Sequence, residues 1–124
     1  MSTILIVEDN EKNMKLARDV LQAKGYATLE AVNGEDGVRL ALQHKPDLVL
    51  MDIQLPDING IEAFRRIRAN ADTAAIPIVA FTASVTANDL SRIDAAGFDA
   101  FIGKPINLKE FVETVRRVAA GGRR

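Results

Sequence analysis

The sequence predicts a doubly wound α/β sandwich of (βα)5 form, and three observations predict it. Short continuous apolar runs alternate with longer amphipathic stretches along the whole chain. The runs are mostly β-branched or bulky, which suits strands of a parallel sheet covered on both faces. The 124-residue length fits one domain, and right-handed crossovers close five such βα units into a layered sheet.

Each element has its own signal. Ile4-Leu5-Ile6-Val7, Leu48-Val49-Leu50-Met51 and Ile76-Pro77-Ile78-Val79-Ala80-Phe81 are the strong strand runs. Ala27 to Val32 and Ala100-Phe101-Ile102 are weaker and are expected nearer the sheet edges. Between them the period turns helical. Met14, Ala17 and Leu21 make one apolar face, Val38, Ala41 and Leu42 a second, and Ile61, Phe64 and Ile67 a third. Leu90, Ile93 and Ala96 follow, and Leu108, Phe111, Val112, Val115 and Ala119 give the clearest 3.6-residue spacing. Asn107 with Glu110 resembles a capping box, while Gly25, Pro46 and Gly97 stand where three helices should stop. Asn-Gly pairs at 33–34 and 59–60 could turn hairpins. Each precedes a helical pattern instead, so both are read as turns into helices.

Composition excludes several functions. Sixteen basic and 17 acidic side chains leave a net charge of -1, without the basic excess that nucleic-acid binding calls for. There is no cysteine, which removes disulfides, thiolate metal sites and cysteine nucleophiles together. No apolar run approaches the ~20 residues of a membrane span, and Met1-Ser2-Thr3-Ile4 lacks the pattern of a signal peptide. The expectation is a soluble cytoplasmic protein with one domain over residues 1–120 and a flexible tail over 121–124.

In an open parallel sheet, ligands bind beyond the carboxyl ends of the strands. Glu8, Asp9 and Asn10 follow the first strand, Asp52 the third, Thr82-Ala83-Ser84 the fourth and Lys104-Pro105 the fifth. Three carboxylates, a hydroxyl and an ammonium therefore converge on one rim. Singly, each has a structural reading: Asp9 or Asn10 could cap the first helix, Thr82 the fourth, and Lys104 could be a solvated lysine. Asp52 resists such a reading, because the next helix begins only at about Asn59 or Gly60. Together the acids repel, by about 4 kcal/mol for two charges ~4 Å apart at an effective dielectric of 20. One lysine does not neutralise three acids, and an oxygen-only site suits Mg²⁺. A carboxylate beside such an ion, a lysine and a hydroxyl is a plausible aspartyl-phosphate nucleophile.

These residues resemble the receiver (response-regulator) domain of two-component signalling from about Thr3 to Val118. The resemblance is carried by ILIVEDN at 4–10, KPDLVLMDIQLPDINGIE at 45–62, IPIVAFTA at 76–83 and GFDAFIGKPI at 97–106. It is similar to the stand-alone, cell-division-control (DivK-like) type, although the KPI and MDIQLP wording also occurs in receivers attached to hybrid kinases. The resemblance implies the flavodoxin/CheY-like three-layer sandwich with parallel strand order 2-1-3-4-5. It implies Asp52 as phosphoacceptor, and Mg²⁺ (or Mn²⁺) held by Asp9 directly, Glu8 through water, Asp52 and the backbone carbonyl of Gln54. Thr82 would bond the phosphoryl group and shift on activation, Lys104 would pair with it, and Lys104-Pro105 would be cis. Phe101 matches the aromatic switch position, with an ordinary core aromatic as its alternative. Ala83, Gln54 and Ser84 would tune hydrolysis. His44, Met14 and Met51 are read as a helix-end residue and core filler.

The partners implied are a histidine kinase or histidine phosphotransfer protein, docking beside the first helix near Asn13, Met14 and Ala17, and an unidentified downstream protein. The downstream contact would be made by the face of the fourth helix, fifth strand and fifth helix. No nucleic-acid or membrane contact is expected, and the state is a monomer that phosphorylation could dimerise. The chain is expected to be a stand-alone switch with weak self-phosphorylation and autodephosphorylation rather than a turnover enzyme. Three rivals are weaker. A haloacid-dehalogenase-type phosphatase needs a second aspartate where Gln54 stands. A flavodoxin would have to cradle phosphate against Glu8 and Asp9. A degenerate scaffold is opposed by all five signature residues, Glu8, Asp9, Asp52, Thr82 and Lys104, being present.

Overall fold

Five apolar runs become five parallel strands because both faces of each central strand are covered. The computed structural model describes residues 2–83 and 86–121. Met1, Ser84, Val85 and the Gly122-Arg123-Arg124 end of the tail lie outside the described residues, so the reading of Ser84 and of that tail is not taken further. The elements run β1 (Thr3–Val7), α1 (Glu11–Ala23), β2 (Ala27–Ala31), α2 (Gly34–His44), β3 (Leu48–Asp52), α3 (Gly60–Ala69), β4 (Ile78–Thr82), α4 (Ala87–Ala96), β5 (Ala100–Gly103) and α5 (Leu108–Ala119). The sheet order is β2-β1-β3-β4-β5, all pairs parallel. This is the predicted doubly wound sandwich. No helix among the described residues is long and apolar enough to cross a membrane.

Period-two alternation divides the core. Ile4, Ile6, Leu48, Leu50, Val79, Phe81, Ala100 and Ile102 face α1 and α5, packing with Met14, Leu21, Phe111 and Val115. Leu5, Val7, Val49, Met51, Ile78 and Ala80 face the other way, toward Ala41, Phe64, Ile67 and Ile93.

Local chemistry sets the helix ends. Asn10, Asn33, Asn59, Thr86 and Asn107 are the N-caps, each accepting a backbone N–H three residues on. Both Asn-Gly pairs are therefore cap and first helical residue, not hairpin turns. Gly97 ends α4 with φ 103, the left-handed conformation that glycine adopts without strain. Asn10 rather than Asp9 caps α1, and Thr86 rather than Thr82 caps α4, which disposes of the structural readings of Asp9 and Thr82.

The structure corrects several details. β4 begins at Ile78, not Ile76. Asp99 accepts the Ile78 N–H at 2.8 Å and pairs with Arg68 at 2.9 Å, and the Arg68 guanidinium also bonds the Ile76 carbonyl. β2 stops at Ala31, leaving Val32 58% exposed. In α2 the packed face is Gly34, Gly37, Val38 and Ala41 with Leu40 alongside, whereas Leu42 is half-buried outside that cluster. A Cβ on Gly37 would stand 2.8 Å from a Val7 methyl, so the helix approaches the sheet through glycines that an apolar count passes over. In α5 Val118 is buried in place of Ala119, and Leu108 is 52% exposed.

Gly60 joins fold to site. A Cβ there would overlap the carbonyl oxygen of Asp52 and stand 2.8 Å from the Ile53 Cα, both backbone atoms that cannot swing aside. Gly60→Ala is expected to cost about 1–3 kcal/mol of stability, read as a lower urea midpoint with unchanged slope. Gly121→Ala meets nothing within 4 Å but sits at φ 90, so a smaller loss there separates backbone strain from overlap.

Candidate functional site

Strand alternation carries one row of side chains past the sheet's edge. Leu48, Leu50 and Asp52 share a face of β3; Ile4 and Ile6 lead to Glu8, and Ala100 and Ile102 lead to Lys104. The three charged groups meet above the α1/α5 side of the core. Lys104 Nζ lies 2.6 Å from Glu8 Oε1 and 3.1 Å from Asp52 Oδ2. It also stands 4.7 Å above the ring centre of Phe81. Lys104 is thus not a solvated surface lysine. Phe81, read in the sequence only as a strand residue, supports it from below; its place on the Val79 face of β4 was the available signal. The Lys104–Pro105 bond is cis.

Glu8 is fully buried and Asp52 is 3% exposed, while Asp9 lies at the surface. Carboxylate oxygens of Glu8, Asp9 and Asp52 all lie within 4.8 Å of one another. Glu8 Oε2 accepts the Asn10 N–H at 3.0 Å, and Asp52 Oδ1 accepts the Gln54 N–H at 3.0 Å. Lys104 is close to Glu8 Oε1, yet no donor meets hydrogen-bond geometry at that buried oxygen. Three converging carboxylates, two of them buried and sharing a single ammonium, fit a hard divalent cation with oxygen ligands.

The Asp52 carboxyl is pushed up to about 7. Burial is the main cause, followed by the hydrogen bond and repulsion from Glu8; Lys104 and the Gln54 N–H pull the other way without prevailing. Asp52 therefore shares a proton near neutrality when no cation is bound.

Thr82 ends β4, 5% exposed, on the opposite face of the sheet from Asp52. It lines a cleft of about 440 Å³ with Gln54, Ile53, Ile61 and Ile93. Phe101 pairs across the ladder with Ala80 and is 40% exposed, so the alternative of a core aromatic is set aside. His44 is an exposed helix end, as read from the sequence. The expected docking surface on α1 needs correction. Met14 and Ala17 are 5% and 0% exposed inside the core, and the outward side of α1 shows Glu11, Lys12, Lys15 and Leu16 instead.

The chain matches the response regulator receiver domain over residues 4–116, and it belongs to that family. It is 44% identical over 114 residues to the polar-differentiation response regulator DivK of Brucella anthropi, covering 92% of this chain and 93% of that one. The receiver domain of a sensor histidine kinase from Pseudomonas aeruginosa, solved with a magnesium ion coordinated in its active site cleft, has a TM-score of 0.89 at 32% identity. That match covers 96% of this chain and 98% of the other. The signal receiver domain of a histidine kinase from Syntrophus aciditrophicus gives 0.89 at 30% identity over 100% and 94%. The chain is accordingly a DivK-like receiver of a two-component system. It acts as a signalling switch rather than a conventional enzyme, and the family implies a histidine kinase or phosphotransfer protein as partner.

The raised Asp52 value makes stability depend on pH. An unfolded aspartate titrates near 3.8 and the folded one near 7, so folding takes up a proton between them. The Asp52 contribution is most favourable below 3.8 and is lost as pH rises toward about 7. In chelator, the melting temperature of Asp52→Asn minus that of wild type is expected to grow over this range and level off above it. A difference independent of pH would mean that Asp52 is not proton-sharing in the folded state.

Proposed function

We propose that this chain is a single-domain response regulator whose Asp52 accepts a phosphoryl group in a Mg²⁺-dependent reaction. The observation that carries this is one cluster: Glu8, Asp9 and Asp52 within 4.8 Å of one another, with the Lys104 ammonium 3.1 Å from Asp52. A histidine kinase or histidine phosphotransfer protein presents phosphohistidine. An Asp52 carboxylate oxygen attacks phosphorus, the P–N bond breaks, and its electron pair leaves on the donor imidazole. Glu8, Asp9, Asp52 and the Gln54 carbonyl would hold the cation, Mg²⁺ or Mn²⁺. When bound, it offsets the charge gathered on the phosphoryl oxygens and favours the deprotonated acceptor.

The chain's own groups do the rest. The Gln54 N–H fixes one oxygen of the acceptor, and Lys104, already between the two buried acids, turns from Glu8 toward the phosphoryl group. Thr82 supplies a hydroxyl from the next strand, and Ala83 leaves the approach open. As Thr82 moves, Phe101 swings inward. Its ladder neighbour is Ala80, small enough to leave room for the ring on the face that α4 covers. This change reshapes the α4-β5-α5 face, where Phe101, Pro105, Glu110, Glu113 and Arg117 line a shallow cleft open to a partner. Slow hydrolysis of the acyl phosphate resets the switch.

Intact mass after incubation with acetyl phosphate tests the proposal. Wild type should gain one phosphoryl group with Mg²⁺ and none in chelator, and Asp52→Asn should gain none. Lys104→Ala should slow the gain by about a hundredfold, the usual cost of removing one stabilising donor. An adduct on Asp52→Asn, or one formed equally without the metal, would sink the mechanism. Should wild type ignore acetyl phosphate, a phosphohistidine donor protein takes its place, and failure there has the same force.

A further inference from the structure

The loop from Ile53 to Asn59 is fastened at its ends and in its middle. At its start the Gln54 N–H bonds Asp52, the last residue of β3, and its mouth is closed by the Gly60 N–H on the Ile53 carbonyl at 2.8 Å. In the middle, Asp57 reaches a different helix. Its Oδ1 accepts the Gly34 N–H and its Oδ2 the Glu35 N–H, both at 2.8 Å. A carboxylate astride the first two N–H groups of α2 also meets the positive end of the helix dipole.

Asp57 is the second cap on this helix. Asn33 already serves α2, accepting the Asp36 N–H at 2.8 Å. The two caps satisfy different N–H groups, and of these two Asp57 alone ties the helix to the acceptor loop. The surroundings fit the same purpose. Ile58 lies against Gly34 so closely that a Cβ on that glycine would overlap the isoleucine side chain. Arg66 of α3 bonds Glu35 at 2.8 Å and Glu62 at 3.0 Å, adding a second tie from α3 to the start of α2. Burial raises the Asp57 carboxyl somewhat, but the N–H groups of Glu35, Gly34, Ile58 and Asp57 itself outweigh it and hold the group below the usual range.

We propose that Asp57 is a positioning residue for phosphoryl transfer: it pins the 53–59 loop to α2 and so fixes Gln54. The Gln54 N–H holds the acceptor carboxylate, and its carbonyl is a cation ligand in the function proposed above, on which this inference rests. Asp57 touches neither the acceptor nor the cation cluster. Its loss acts through the loop, weakening Mg²⁺ binding and slowing phosphorylation together.

The comparison of the two caps tests this. Asp57→Ala and Asn33→Ala each remove one cap from the same helix terminus, so both should lower the melting temperature. Mg²⁺ alone is titrated calorimetrically into each full-length variant and into wild type. Asp57→Ala should raise the Mg²⁺ dissociation constant about tenfold, in the range seen when outer partners of metal ligands are removed, and Asn33→Ala should leave it within twofold. Asp57→Asn keeps one acceptor oxygen and should recover part of the affinity; it also serves if Asp57→Ala does not fold. Equal affinities for the two alanine variants would overturn the inference and leave the proposed function standing. A wild type that binds no Mg²⁺ would overturn both.

Discussion

Two buried carboxylates sharing one ammonium are the constraint around which the rest is arranged. Glu8 and Asp52 are almost wholly withdrawn from water, and Lys104 lies between them. Such a cluster does not hold itself together, because desolvation of each charge rivals the attraction it gains. Glu8 and Asp52 compete for the one ammonium, and burial with Glu8 beside it pushes the Asp52 carboxyl up. Stability comes from below, from strands whose side chains are fully buried on both faces. The sheet thus carries a rim that is unfavourable alone and ready to gain from a cation or a phosphoryl group.

That rim could be read in the sequence because ligands of an open parallel sheet lie beyond the carboxyl ends of its strands, and alternation explains why three of its residues meet. Glu8, Asp52 and Lys104 each continue an even-numbered apolar row, so one rule of alternation brings together residues 44 and 52 positions apart. The burial that shifts Asp52 was less legible. Repulsion among acids was evident from the residue types, whereas Lys104 over the Phe81 ring depends on how far β4 and β5 extend before they turn. Asp52 and Thr82 proved to be the last residues of their strands, which the pattern, ending its runs at Met51 and Phe81, placed one residue beyond.

Elsewhere the apolar count failed where contact is made by absence. The helix α2 reaches the sheet through Gly34 and Gly37, which offer no hydrophobic signal, and Leu42 was credited in their place. On α5 the error went the other way. Leu108 fits the period but lies in the first turn, past the edge of the core, while Val118 a few turns on closes it. Periodicity gives the angle of a side chain about its helix. How far the sheet extends along that helix is a tertiary fact. The same limit hid Asp57, whose partners are 22 and 23 residues distant and belong to no local pattern.

Parity also separates the chemistry from its readout. Asp52, Glu8 and Lys104 stand on the α1/α5 side of the sheet, whereas Thr82, Ala80 and Phe101 share the side covered by α4. A short link joins them, the Lys104 N–H donating to the Thr82 carbonyl at 2.8 Å. A phosphoryl group on Asp52 would draw on Lys104 from one face and on Thr82 from the other, so both ends of this link move for the same cause. Of the five helices α4 is the least buried. The α1/α5 side is filled by Phe81, Phe111, Val115 and Val118 without exposure, while within α4 itself Ile93 is the one buried residue and Phe101 beside it is 40% exposed. A close-packed face resists repacking. The looser face, beside the small side chain of Ala80, is where the proposed switch has room to act.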